Sequence, residues 1–189
     1  MSKLDDAIRY AVEVHAGMVR KGEGIPYVLH PLEVATIAAT MTTDEDVLCA
    51  AVLHDVVEDT PASMEDLEQR FGARVTQLVA SETEDKRDEM PRRESWRVRK
   101  EESLKKLGAT TDRDVRILWL SDKLANMRSL SRLYSRMGDA LWELFNQRDV
   151  VQQAWYYASV ASALEDLSGM DAWREYDRLR RQVFEGRSL

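Results

Sequence analysis

Residues 47–60 read Val47-Leu48-Cys49-Ala50-Ala51-Val52-Leu53-His54-Asp55-Val56-Val57-Glu58-Asp59-Thr60. The run from Val47 to Leu53 has no polar face, so a helix built from it is buried nearly all round and lies centrally. The same run then carries a histidine and three acids toward that interior. Ionised carboxylates are costly to bury unless positive charge compensates. On a continuous helix His54 and Asp55 are about 100° apart, and Glu58 and Asp59 follow them by one turn, so all four line one edge. A cation is the plainest compensation. A His–Asp pair also arises by chance, so the reading depends on partners elsewhere in the chain.

Outward from this centre the spacing predicts helices joined by short connections. A first helix over about Lys3–Val19 places Leu4, Ile8, Ala11, His15 and Met18 on one stripe. Gly22, Gly24 and Pro26 then make a loop, and Pro31 suits the first turn of a second helix with His30 at its N-terminus. Thr43 with Asp46 resembles a capping box that opens the central helix, which Pro61 ends. Ser63 with Asp66 caps a short helix stopping near Gly72, and Val75, Leu78 and Val79 mark the next. Residues 83–93 (TEDKRDEMPRR) are loop-like. Further helices run from Glu94 to Leu107, ended by Gly108, from a Thr111/Asp114 start, from Asp149 to Leu167, and from Asp171 onward. The expected class is all-α, one domain over 1–189, with a C-terminal helix over 171–186 packed on it.

The chain of 189 residues carries a net charge of −7. That balance argues against a duplex nucleic-acid partner, and a phosphate site must draw on local charge. No apolar run reaches membrane-spanning length, and the first residues lack a signal-peptide core, so no membrane partner is expected. The single cysteine, Cys49, lies in the apolar run and reads as a core residue. A reducing cytoplasm is the expected location.

Two other positions supply donors. His30 precedes a helix-starting proline, and Asp122 follows the apolar Leu118-Trp119-Leu120. Taken alone, His30 reads as a helix cap and Asp122 as a buried partner of an arginine. Taken with His54 and Asp55 they give two imidazoles and two carboxylates, a set that suits Mn²⁺, Fe²⁺ or Zn²⁺ with open positions for water. His15, on the apolar stripe, reads as a core or supporting histidine. Lys86, Lys100 and Arg128 are candidate phosphate partners or solvated charges. The tryptophans at 96, 119, 142, 155 and 173 read as packing, with base stacking by Trp96 as the other use.

The ordered motifs HAGMVRKG (15–22), PYVLHP (26–31), LHDVVEDT (53–60), FG (71–72) and SDKLANMRSL (121–130) resemble those of the HD-domain phosphohydrolases. Within them, they resemble the (p)ppGpp hydrolase domain of the RelA/SpoT homologues, and above all the small stand-alone hydrolases. The resemblance covers about residues 4–165. It implies an all-helical bundle with a central metal, usually Mn²⁺, held by His30, His54, Asp55 and Asp122. It implies that Glu58 and Asp59 handle the attacking water, that Arg20 packs on guanine with Lys21 beside it, that Asn126 touches the ribose, and that Ser129 stands where many relatives carry threonine.

The implied reaction removes the 3′-diphosphate of guanosine tetra- or pentaphosphate, giving GDP or GTP and pyrophosphate. Met18, Ser121, Ala125 and the 83–93 loop depart from the guanosine-specific pattern. Another phosphorylated nucleotide, such as a nucleoside monophosphate or the 2′-phosphate of NADPH, is therefore the alternative substrate. A non-catalytic nucleotide-binding module is the third reading, and it expects loss of a ligand or of the acidic pair.

Overall fold

The structure is a computed structural model that describes residues 2–85, 87, 89 and 91–186, the side chain of Arg92 excepted. It is nearly all helical. In chain order the helices are α1 (Lys3–Val14), α2 (Leu29–Ala38), α3 (Glu45–Leu53), α4 (Val56–Asp59), α5 (Met64–Phe71), α6 (Ala73–Glu82), α7 (Arg92–Ala109), α8 (Arg113–Met137), α9 (Val150–Ala163) and α10 (Asp171–Phe184). Short 3₁₀ helices cover Gly138–Leu144 and Glu165–Leu167. The one β feature among the described residues is an isolated bridge between Val19 and Pro26. None of the helices among these residues is long and apolar enough to cross a membrane.

Contacts gather into two units, Met1–Thr83 with Thr111–Ala125, and Glu84–Thr110 with Asn126–Leu189. In the first, α3 is the hub and packs against α1, α2 and α6, while α5 packs on α6. Val47, Cys49, Ala50, Ala51, Val52 and Leu53 are all fully buried, as their unbroken apolar run requires. Burial pushes the Cys49 thiol up to about 12, so it is an inert core group. In the second unit α9 receives α7 and α10. There Trp96 packs edge-on against Tyr156 and Trp155, and the Tyr176 hydroxyl donates to the Tyr157 carbonyl at 2.8 Å.

Several expected boundaries move, each for a local reason. α1 stops at Val14 rather than Val19: His15 caps it, and Gly17 takes φ +79°, which no right-handed helix contains. Asp44, not Thr43, caps α3 by accepting from the Asp46 amide at 2.8 Å. Asp112, not Thr111, accepts from the Asp114 amide at 3.0 Å at the start of α8. Helix α7 begins at Arg92 and passes through Gly108 to Ala109. The capping box of Ser63 with Asp66 forms, and Gly72 at φ +88° separates α5 from α6.

The continuous helix through residue 59 is also corrected. α3 ends at Leu53 and α4 restarts at Val56. The Ala51 carbonyl, which an unbroken helix offers to the Asp55 amide, accepts from the His54 imidazole at 2.9 Å.

An arginine fork ties α6 to the start of α8. Arg74 donates to Asp112 Oδ2 at 2.8 Å and Oδ1 at 3.1 Å, and to Asp114 Oδ2 at 2.5 Å. The hydrogen bonds from Arg74 hold the Asp112 carboxyl below its usual 3.8. A carboxylate lowered by folding stabilises above its unfolded value and loses that contribution as pH falls through the folded one. Arg74→Ala is expected to cost about 1 kcal/mol at neutral pH, roughly 2–4 °C in melting temperature, for a fork a third exposed to solvent. Melts from pH 7 downward are expected to show the gap between parent and variant closing below about pH 4.

Candidate metal centre

Each donor of the first unit is aimed by a local device. The turn Pro26–Tyr27 leads into α2, where the His30 amide donates to the Tyr27 carbonyl at 2.9 Å and buries the imidazole. His54 caps α3, with its ring Nδ1 fixed on Ala51. A carbonyl only accepts, so Nδ1 carries the hydrogen and Nε2 of the neutral ring presents its lone pair. Asp122 lies mid-way along α8, buried by the apolar residues before it.

These side chains converge. His30 Nε2 lies 3.1 Å from Asp122 Oδ1 and 3.5 Å from Asp55 Oδ2. His54 Nε2 lies 3.1 Å from Asp55 Oδ2 and 3.5 Å from Asp122 Oδ1. One donor atom each from His30, His54 and Asp122 falls within a 4.8 Å span. Bonds of about 2.0–2.2 Å to one ion place neighbouring donors roughly 3 Å apart, so the spacing fits a shared cation.

The His54 Nε2 atom supplies the test of fit: it is buried and has no hydrogen-bond partner, although a carboxylate oxygen is beside it. A lone pair facing two carboxylates is repulsive unless positive charge enters. Burial lowers the His54 pKa, but Asp55 and Asp122 outweigh it and hold a proton on the ring well above the usual value. Burial raises Asp122, yet Lys123 and the two imidazoles keep it well below the carboxylate range. A divalent ion among these donors satisfies the same demand.

Around this cluster the structure adds groups that sequence reasoning passed over. The Tyr27 hydroxyl lies 2.6 Å from Asp55 Oδ2 and 2.9 Å from Asp59 Oδ2, so it links a donor carboxylate to the acidic pair. Burial first, then the two aspartates, raise its pKa and keep it a phenol. Lys123 contacts Asp122 Oδ2 and lies 3.6 Å from Glu82 Oε1. Burial pushes the Glu82 carboxyl up to about 7. A signal for Glu82 existed: it falls on the buried stripe Val75, Leu78, Val79, Glu82 of α6. His15 is buried, with its ring 5.0 Å from that of Tyr27.

The remaining expected residues are distributed as follows. Glu58 is half-buried and Asp59 exposed on α4. Arg20 is half-buried, 3.8 Å from Glu23 and 5.9 Å from the Tyr27 ring, and Lys21 is exposed beside it. Asn126 and Ser129 follow Asp122 along α8 by one and two turns and belong to the second unit. In that unit Lys100 pairs with Glu84 at 2.7 Å and Arg128 with Glu175 at 2.7 Å. Lys86 lies outside the described residues.

Helices that bring paired histidines and aspartates to one buried point define a class. The HD-domain family description matches residues 7–151, and the chain belongs to that family. It is homologous to the SpoT/Rsh (p)ppGpp hydrolases. It is 39% identical over 135 residues to the bifunctional (p)ppGpp synthase/hydrolase SpoT of Escherichia coli K12, covering 70% of this chain and 19% of that one. It is 38% identical over 129 residues to the GTP pyrophosphokinase rsh of Brucella ovis, covering 67% and 17%. The chain thus spans about a fifth of the length of the curated relatives it matches.

Among solved structures, a metazoan SpoT ortholog that hydrolyses ppGpp and plays a role in starvation responses matches with a TM-score of 0.77 at 32% identity, over 96% of both chains. A protein of Listeria monocytogenes EGD-e matches with a TM-score of 0.72 at 32% identity, over 82% of this chain and 99% of that one. An HD domain implies a divalent metal, and the buried His/Asp group is a site of the right chemistry for one.

Metal at about a hundred times its dissociation constant is expected to stabilise the fold by about 2.7 kcal/mol. Thermal melts with Mn²⁺ and with a chelator read that shift. His54→Ala and Asp122→Asn are expected to erase it, and identical melts in both conditions would tell against a metal site.

Proposed function

We propose that the chain, taken over 1–189 as one HD-type domain, is a metal-dependent hydrolase that removes the 3′-diphosphate of guanosine tetra- or pentaphosphate. The products are GDP or GTP and pyrophosphate. The observation that carries this reading is the cluster itself: His30, His54 and Asp122 converge, Asp55 Oδ2 lies within 3.5 Å of both imidazoles, and Asp59 is linked to Asp55 through Tyr27. The names of homologues support the substrate. Matches include a guanosine-3′,5′-bis(diphosphate) 3′-pyrophosphohydrolase of Escherichia coli O157:H7, 39% identical over 135 residues, besides the metazoan ppGpp hydrolase. The physiological setting proposed is a reducing cytoplasm, and the partner is a small phosphorylated nucleotide.

His30, His54, Asp55 and Asp122 hold the divalent ion, proposed as Mn²⁺. When bound, that ion supplies Lewis acidity at a phosphate oxygen and lowers the pKa of water. Glu58, with Asp59 beside it, orients the attacking water and takes its proton. The Tyr27 phenol, with one hydrogen to donate and the shorter contact to Asp55, orients that carboxylate and couples it to Asp59. Water oxygen bonds to the phosphorus attached at the ribose 3′-oxygen, that P–O bond breaks, and the 3′-oxygen leaves with a proton. Arg20 packs on the base with Lys21 beside it, and Asn126 and Ser129 are proposed as further substrate-binding residues.

Incubation of the protein with ppGpp and Mn²⁺, with products separated by ion-exchange chromatography, is expected to yield GDP and pyrophosphate in equal amounts. Glu58→Gln is expected to lower kcat by about 10²–10⁴-fold while Mn²⁺ still raises the melting temperature. Orthophosphate without pyrophosphate, or turnover of NADPH or a nucleoside monophosphate in preference to ppGpp, would move the reading to another nucleotide. No turnover of any nucleotide by the parent would favour a binding module.

A further inference from the structure

The geometry points to Glu82 as a positioning residue of the metal centre, acting through Lys123; this rests on the divalent-metal reading above. Lys123 Nζ contacts Asp122 Oδ2, lies 3.6 Å from Glu82 Oε1, and sits 4.7 Å from the centre of the Trp119 ring. The ammonium is thus held between two carboxylates and the negative face of an indole. Asp122 is thereby divided: Oδ2 is engaged by Lys123, and Oδ1 is left facing the two imidazoles at 3.1 and 3.5 Å. A carboxylate free to rotate would not keep one oxygen reserved for the ion.

Glu82 is an expensive residue to keep at the end of α6. Its side chain is only 4% exposed, and both carboxylate oxygens are buried without a hydrogen-bond partner. A buried carboxylate with no hydrogen bond destabilises unless nearby positive charge compensates. Lys123 supplies part of that charge, and a divalent ion beyond Asp122 supplies the rest. Asp55, Asp122 and Glu82 set three carboxylates against the single ammonium of Lys123, so the neighbourhood calls for further positive charge. Without Glu82, the ammonium loses one of the two carboxylates that hold it in place. Asp122 Oδ2 is then held less firmly, and Oδ1 is no longer kept facing the imidazoles.

The test is Mn²⁺ affinity by titration calorimetry on the full chain, first stripped of metal. Glu82→Gln and Glu82→Leu are each expected to weaken Mn²⁺ binding about 10–100-fold. The two variants differ in stability, because leucine also removes the unsatisfied oxygens and glutamine does not. Equal affinities with unequal melting temperatures therefore separate a charge effect from a packing effect. Adding Lys123→Met to Glu82→Leu removes the group that orients Asp122, and is expected to leave Mn²⁺ binding no tighter than in Glu82→Leu alone.

Parent-like Mn²⁺ binding in both single variants overturns the inference. So does a double variant that binds Mn²⁺ as tightly as the parent, or affinities that track melting temperature. A parent chain that binds no divalent ion overturns the metal reading itself, and the two failures are thereby distinguished.

Discussion

Unbalanced negative charge in a buried place is the constraint from which the rest of the first unit follows. Asp55 and Asp122 bring carboxylates to within 3.5 Å of both imidazoles, in an interior formed by α3 and the middle of α8. Such an arrangement is unstable as a set of neutral or anionic groups. It persists only with a proton or a cation at its centre. The helices are arranged to enforce that demand rather than relieve it: His54 is locked by Ala51, and Asp122 by Lys123.

Apolar packing makes the demand rigid. From Val47 to Leu53 α3 carries no polar residue except Cys49, so turning His54 toward solvent would expose the buried Val47, Cys49, Ala50, Ala51, Val52 and Leu53. The helix break at His54–Asp55 then does what a continuous helix would not. It lets Asp55 face the imidazoles while Val56–Asp59 starts a new turn that carries Glu58 and Asp59. The Tyr27 phenol, entering from the turn before α2, reaches both Asp55 and Asp59. The result is a graded site, buried at the imidazoles and open at Asp59.

What could be read in the sequence was the part carried by composition over several residues. The apolar run before His54 predicted a central helix because no other environment suits it. Pro31 does stand in the first turn of α2, but the helix begins earlier, at Leu29 with Val28 as its cap, so His30 lies within it. Errors fell where the deciding event was one residue wide. Thr43 and Asp44, like Thr111 and Asp112, are neighbouring cap residues of equal aptitude, and only the backbone decides between them. Met18 continued the stripe of α1, but Gly17 had already turned the chain.

Tyr27 and Glu82 were missed for another reason. Each owes its part to groups far off in the chain, Asp55 and Asp59 for one and Lys123 for the other. Periodicity cannot report such pairings. The third reading, a module without catalysis, expects a missing ligand or acid, whereas all six residues are present.

The lone thiol has a use of its own. Cys49 is sealed inside the hub helix with its pKa pushed up to about 12, so alkylating reagents meet no thiolate while the fold is closed. Modification of this one atom therefore counts openings of the hub, one irreversible mark for each molecule that unfolds there. The chain carries its own stopwatch for structural breathing. It also leaves any cysteine introduced elsewhere as the sole target for a fluorescent or spin label.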